Sequence, residues 1–172
     1  MKDKSNILII FTLIVMISIV VIVSLIPKRS DYIDTKFVIL NTYSNYAWTT
    51  NFQGSAIYDD GTIYTWNETN KNKLNEYQIG TPQGIKKYIE DEAKKSNKKV
   101  SDRDLIELKK YINSLKDNIK LQYPGADQGT NTISVITNNN IEIVLKKTGD
   151  SVGENKTQES QNIIKIVEKY FE

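Results

Sequence analysis

Gly54-Ser-Ala-Ile-Tyr-Asp-Asp-Gly-Thr-Ile-Tyr-Thr-Trp66 reads as a β-hairpin. Asp59-Asp60-Gly61 supplies a type I turn followed by a glycine in the left-handed region, the three-residue connection that leaves a bulge. That loop sets the register: Tyr58 faces Thr62, Ile57 faces Ile63, Ala56 faces Tyr64, Ser55 faces Thr65 and Gly54 faces Trp66. One face of the pair then carries Ile57 and Ile63. The other lays the rings of Tyr64 and Trp66 over Ala56 and Gly54, which shields the small residues.

Upstream, Lys36–Tyr43 (KFVILNTY) is a run of β-forming residues, and its uninterrupted Phe37-Val38-Ile39-Leu40 predicts a strand buried on both faces. Downstream, Asn67–Gly80 is polar and reads as a loop or lid. Thr81-Pro82 starts a helix with a capping residue and an N1 proline; Ile85, Tyr88, Ile89 and Ala93 give it a narrow apolar stripe, and Ser96-Asn97-Lys98-Lys99 ends it. Ser101 and Asp104 form a capping box for the next helix, where Leu105, Leu108, Ile112, Leu115 and Ile119 keep helical spacing.

After the Pro/Gly loop Gln122–Thr130, a second hairpin turns at Asn138-Asn139-Asn140 and sets Ile133, Val135 and Thr137 opposite Leu145, Ile143 and Ile141. Lys146–Lys156 is polar loop. Thr157 caps a last helix with Ile163, Ile164, Val167, Tyr170 and Phe171 toward the core. Strands grouped apart from helices indicate an α+β fold: one strand plus two hairpins in an antiparallel sheet, with about three helices packed on one face.

Ahead of this domain, Ile7–Ile26 (ILIIFTLIVMISIVVIVSLI) holds no charge. As a helix it reaches roughly 30 Å, the thickness of a bilayer's hydrocarbon core, and its sequence is expected to form a single transmembrane helix with Ile7, Phe11, Val15, Ile19 and Ile26 along its length. Val23-Ser24-Leu25-Ile26-Pro27 lacks the small residues that signal peptidase needs, so the segment is expected to stay attached as a signal-anchor. Lys2 and Lys4 precede the span and Lys28 and Arg29 follow it; a short tail before a long C-terminal domain favours an extracytoplasmic domain. The expected layout is residues 1–29 as anchor, 30–35 as a short stem and 36–172 as one soluble domain.

The chain has 172 residues, 23 Lys and Arg, 21 Asp and Glu, and no His or Cys. Setting aside Lys2, Lys4, Lys28, Arg29 and Asp3 leaves 19 basic and 20 acidic groups in residues 30–172. The domain is close to neutral, which gives no field for gathering nucleic acid. Lys86-Lys87, Lys94-Lys95 and Lys98-Lys99 form a local basic run, interrupted by Glu90, Asp91 and Glu92, and read as a solvated helix face. A fold without cysteine suits a bacterial exterior, where the sequons at Asn67 and Asn155 have no glycosylation role.

Without His or Cys, thiol nucleophiles, histidine bases and the usual zinc or copper sites are excluded. Asp59 and Asp60 suit a turn better than an acid/base pair. Asp102 and Asp104 fit a helix's first turn, and Asp150, Glu154 and Asn155 do not have EF-hand spacing. Neither catalytic residues, metal ligands nor a cofactor are expected. Aromatic residues are the remaining signal: Tyr46, Trp48, Tyr64 and Trp66 belong to a dense group that packs a sheet or, on a surface, stacks on sugars or anchors a partner protein.

In layout the chain resembles small, singly anchored extracytoplasmic proteins of Gram-positive bacteria. The reading that follows is a non-enzymatic binding module at the outer face of a bacterial membrane. It contacts the lipid bilayer through its N-terminal helix and a protein or cell-wall ligand through its domain, as inhibitor or immunity proteins do. The alternative is a carboxylate-dependent enzyme acting on envelope glycans.

Overall fold

Phe37-Val38-Ile39-Leu40 open the first strand, β1 (Phe37–Asn45), in a computed structural model that describes residues 36–45, 50–125 and 128–171. All four side chains are at most 3% exposed. The cause is position: β1 is flanked by β2 (Asn51–Tyr58) on one side and β5 (Thr130–Thr137) on the other, so both its faces are covered. β3 (Thr62–Glu68) and β4 (Lys94–Lys99) extend the sheet beyond β2, while β6 (Glu142–Gly149) and β7 (Gly153–Glu154) extend it beyond β5. The result is one seven-stranded sheet in the order β4-β3-β2-β1-β5-β6-β7, antiparallel at every pairing.

The first hairpin follows its turn chemistry. Ile57 faces Ile63, Ala56 faces Tyr64, Ser55 faces Thr65 and Gly54 faces Trp66. Gly61 takes φ +81°, and its N–H donates to the Tyr58 carbonyl at 2.8 Å, which closes the loop. The second hairpin turns through Asn140, at φ +56°, and sets Val135 opposite Ile143. Past that pair the expected register breaks at a bulge between Ile133 and Ser134, so Ile133 meets Lys146 in place of Leu145. Leu145 remains fully buried all the same.

Four helices occupy the described residues: α1 (Lys71–Tyr77), α2 (Pro82–Glu92), α3 (Asp102–Ser114) and α4 (Gln158–Val167). Thr81, Ser101 and Thr157 each accept a hydrogen bond from a backbone N–H of the first turn, as their sequence positions imply. The box at α3 has an added member. Asp104 turns its carboxylate to the Tyr170 hydroxyl at 2.6 Å, and the Ser101 N–H, which a capping box would give to that carboxylate, donates to the same hydroxyl at 3.2 Å.

The packing corrects the expected architecture in three respects. Helices cover both faces of the sheet. Phe37, Ile39, Ile57, Ile63, Val135 and Leu145 meet Leu108 and Ile112 of α3 and Ile163 and Val167 of α4. Val38, Leu40, Phe52, Ala56, Trp66 and Ile136, alternate residues of the same strands, meet Leu74 of α1 with Tyr88 and Ile89 of α2. Strands apolar at consecutive positions need a cover on each side.

The sheet also has seven strands where one strand and two hairpins were expected. Lys94–Lys99 leaves the helix at Glu92 and pairs with β3 as an edge strand, and Asn67–Gly80 contains α1, capped by Asn70. α3 stops at Ser114 instead of running on to Ile119.

The third correction concerns the membrane. Among the described residues no helix is long and apolar enough to cross one. Residues 7–26, on which the expected transmembrane helix with Ile7, Phe11, Val15, Ile19 and Ile26 falls, lie outside the described residues.

Candidate functional site

Of the four expected aromatic site residues, Tyr46 and Trp48 lie outside the described residues, and β3 positions the other two. Trp66 and Tyr64 point to the α1/α2 face. Trp66 is 8% exposed and packs at 5.5 Å from Phe52 and 6.4 Å from Tyr88, ring centre to ring centre. Tyr88 in turn meets Tyr77 edge-on at 5.4 Å, and Tyr64 meets Tyr58 at 5.2 Å. Gly54 makes room for the indole: a methyl group there would lie 2.7 Å from Trp66 Cζ2 and closer still to the Asn41 carbonyl.

At the end of this aromatic layer lies a pocket of about 350 Å³. Trp66 and Tyr88 supply its apolar wall, Thr65 and Asn67 its polar backbone side, and Glu68, Lys73, Glu92 and Lys94 its charged rim. The rim is tied together. Lys73 Nζ reaches Glu68 at 3.4 Å and bonds Glu92, and the Tyr77 hydroxyl donates to Glu92 at 3.1 Å. Glu68 also accepts the N–H groups of Thr69 and Asn70, at 3.0 and 2.9 Å, which joins the end of β3 to the start of α1.

These contacts set the protonation states. The Lys73 hydrogen bond, against some burial and helped by Tyr77, holds Glu92 below the usual carboxylate range. The Asn70 N–H does most to lower Glu68, and Glu92 raises Lys73. Burial pushes the Tyr88 phenol up to about 12, and burial with the Glu92 bond does the same to Tyr77. Around neutral pH every one of these groups keeps its ordinary charge, and none is poised to exchange a proton.

The pocket adjoins an open strand edge. β2 pairs with β3 as far as Glu68, but β4 reaches only Thr65, opposite Lys94. Along Trp66–Glu68 the outer edge of β3 therefore has no strand beside it among the described residues.

Asp60, Asp150 and Glu154, singled out in the sequence, are engaged in structure. Asp60 accepts from the N–H and hydroxyl of Thr62, both at 2.8 Å; burial opposes ionisation there, but these bonds together with Lys99 and Lys95 lower its pKa. Asp150 accepts the Gln128 N–H at 2.8 Å, and Glu154 accepts Gln161 Nε2 at 3.2 Å. Asn155, fully buried, donates to the Lys116 carbonyl at 2.7 Å and accepts from the Thr157 hydroxyl at 2.9 Å. Among the described residues no group of three or more His, Cys, Asp or Glu side chains is placed to hold a metal ion.

Sequence reasoning reached Trp66 but missed its neighbours. Glu68, Lys73 and Glu92 fall in what reads as loop and helix surface; the signal available was Asn70, a capping residue that makes Glu68 the last position before a helix. Comparison with protein-family profiles, curated proteins and solved structures returns no match to this chain.

Proposed function

We propose that this α+β domain is a non-enzymatic binding module of a bacterial envelope, held at the membrane by its apolar N-terminal stretch and displayed on the extracytoplasmic side. The observation that carries the binding half is the open β3 edge at Trp66–Glu68 beside a pocket with an aromatic wall. An extended segment of a partner protein can add to such an edge through its main chain and seat a side chain in the adjoining pocket. The paired rim keeps the pocket's shape before the partner arrives, which lowers the cost of association. The membrane half is supported by the composition of Ile7–Ile26 and by the basic residues that flank it.

The test uses the full-length chain in intact bacteria. A photoreactive residue at Asn67, on the pocket rim, is expected to give a discrete adduct that Lys94→Glu suppresses, while the same residue at Asn97 gives none. Equal labelling from both positions, or none from Asn67, refutes the site. Release of the chain by alkaline carbonate refutes the membrane attachment.

A further inference from the structure

A second concavity, of about 750 Å³, lies at the opposite end of the sheet and has nothing to do with the aromatic layer. Its lining includes Lys146 and Lys147, consecutive residues of β6, Lys120 from the segment after α3 and Lys156 from the turn before α4, with Gln122, Thr148 and Glu154. These cations come from three separate stretches of chain. Lys146 lies 3.9 Å from Glu168, whereas Lys120, Lys147 and Lys156 have no ion-pair partner among the described residues. Glu154, the single carboxylate in the lining, is engaged by Gln161.

The frame beneath the lysines is fixed. Gln122 and Val152 exchange two backbone hydrogen bonds of 2.8 Å, which ties the segment carrying Lys120 to β7's approach. Buried Asn155 holds the Lys116 carbonyl on one side and the Thr157 cap on the other. Gly153 packs so closely that a Cβ there would lie 2.7 Å from the Lys120 carbonyl. Lysines gathered around one concavity repel each other and focus a positive field into it, an arrangement stabilised by a bound anion. Lysine is a point-charge phosphate binder, and the volume falls in the range of ligand sites.

We propose that this groove binds a phosphate-bearing anion, either a free phosphate ester or the repeated phosphates of a polyanion. The test is calorimetric titration of the full-length chain with sodium pyrophosphate at about 150 mM salt. Saturable binding is expected, and Lys147→Gln with Lys156→Gln is expected to weaken it by about tenfold or more. Lys95→Gln with Lys98→Gln removes the same charge from β4 and is expected to leave affinity within about twofold. The pair Lys147→Arg and Lys156→Arg keeps binding, and unchanged thermal melts show that every variant is folded. Absence of saturation, or equal loss in the β4 control, overturns the proposal. A long-chain polyphosphate then names the source: a gain per chain well above that of pyrophosphate identifies a polymer, and equal affinity identifies a free ester.

Discussion

The two faces of the sheet are built from alternate residues of the same strands, yet they differ in kind. The α3/α4 face is mainly aliphatic, with Ile39, Ile57, Leu108, Leu145 and Ile163 all buried and aromatic rings confined to Phe37 and the partly buried Tyr111, Tyr170 and Phe171. The α1/α2 face is aromatic, layered from Phe52, Trp66 and Tyr88, and it leaves Trp66 Nε1, Tyr58 Oη and Ser134 Oγ buried without a hydrogen-bond partner. The aliphatic side is not free of this cost, since the Ser160 hydroxyl of α4 is also buried without a partner, but it carries fewer such groups. An aromatic layer brings polar tips into the interior, where each unmet one costs about 1–3 kcal/mol. Burial also drives the Tyr58 phenol's pKa upward, an effect that Glu90 and Tyr64 reinforce. The aromatic face therefore carries more of the unmet polar groups, and of these residues Trp66 also walls the pocket.

The sharpest challenge to this contrast is a matched truncation. Leu108→Ala on the aliphatic face is expected to cost about 2–5 kcal/mol in denaturant melts. Leu74→Ala, on the seven-residue α1, is expected at the low end of that range because a short helix relaxes around the cavity. Equal losses would erase the distinction. Gly54→Ala comes next, at about 1–3 kcal/mol, since its methyl group meets Trp66 and the Asn41 carbonyl. Tryptophan fluorescence is expected to shift with it, and an unmoved spectrum would show that the indole is not held by that close approach.

Tyr170→Phe is expected to cost about 1 kcal/mol, because the Ser101 N–H loses its acceptor and Asp104 loses its shortest hydrogen bond. Faster amide exchange confined to the first turn of α3 is the accompanying signature.

The smallest effect is that of Glu92→Gln. Glu68 and Glu92 have lowered pKa values, so their contribution is present above their ordinary value of 4.5 and disappears as pH falls through the lowered ones. Lys73 is raised, so its contribution holds below 10.5 and disappears as pH rises through the raised value. The variant and the wild type are therefore expected to differ slightly between those limits and to converge at either extreme. A difference that persists in acid would place its cause outside the ion pairs.

Legibility followed the range of the forces involved. The hairpin at Asp59-Asp60-Gly61 was readable pair by pair, because turn geometry fixes its register locally. Ser101, Thr81 and Thr157 were readable as caps for the same reason. Lys94–Lys99 was not: KKSNKK has little strand propensity, and only the free edge of β3 makes it a strand. The four lysines also leave that edge of the sheet resistant to pairing with other chains. α1 escaped notice because a helix with one buried residue, Leu74, shows no period. The cover on both faces was implicit in Phe37-Val38-Ile39-Leu40, a strand buried on both sides, though assigning helices to each side required distant contacts. The lysine groove was invisible for a related reason, since Lys120, Lys146, Lys147 and Lys156 converge only through the sheet.

The place of β1 bears on how the chain comes to be folded. It is the first strand of the sheet to be made and sits in the middle, where Ser44 pairs with Thr130 and Phe37 with Thr137. Such long closures are expected to slow refolding to milliseconds or longer. During synthesis the half built from β1 to β4 can assemble early, but the other edge of β1 stays uncovered until Thr130–Thr137 has been made. That interval is when the growing chain is most open to pairing with the wrong strand.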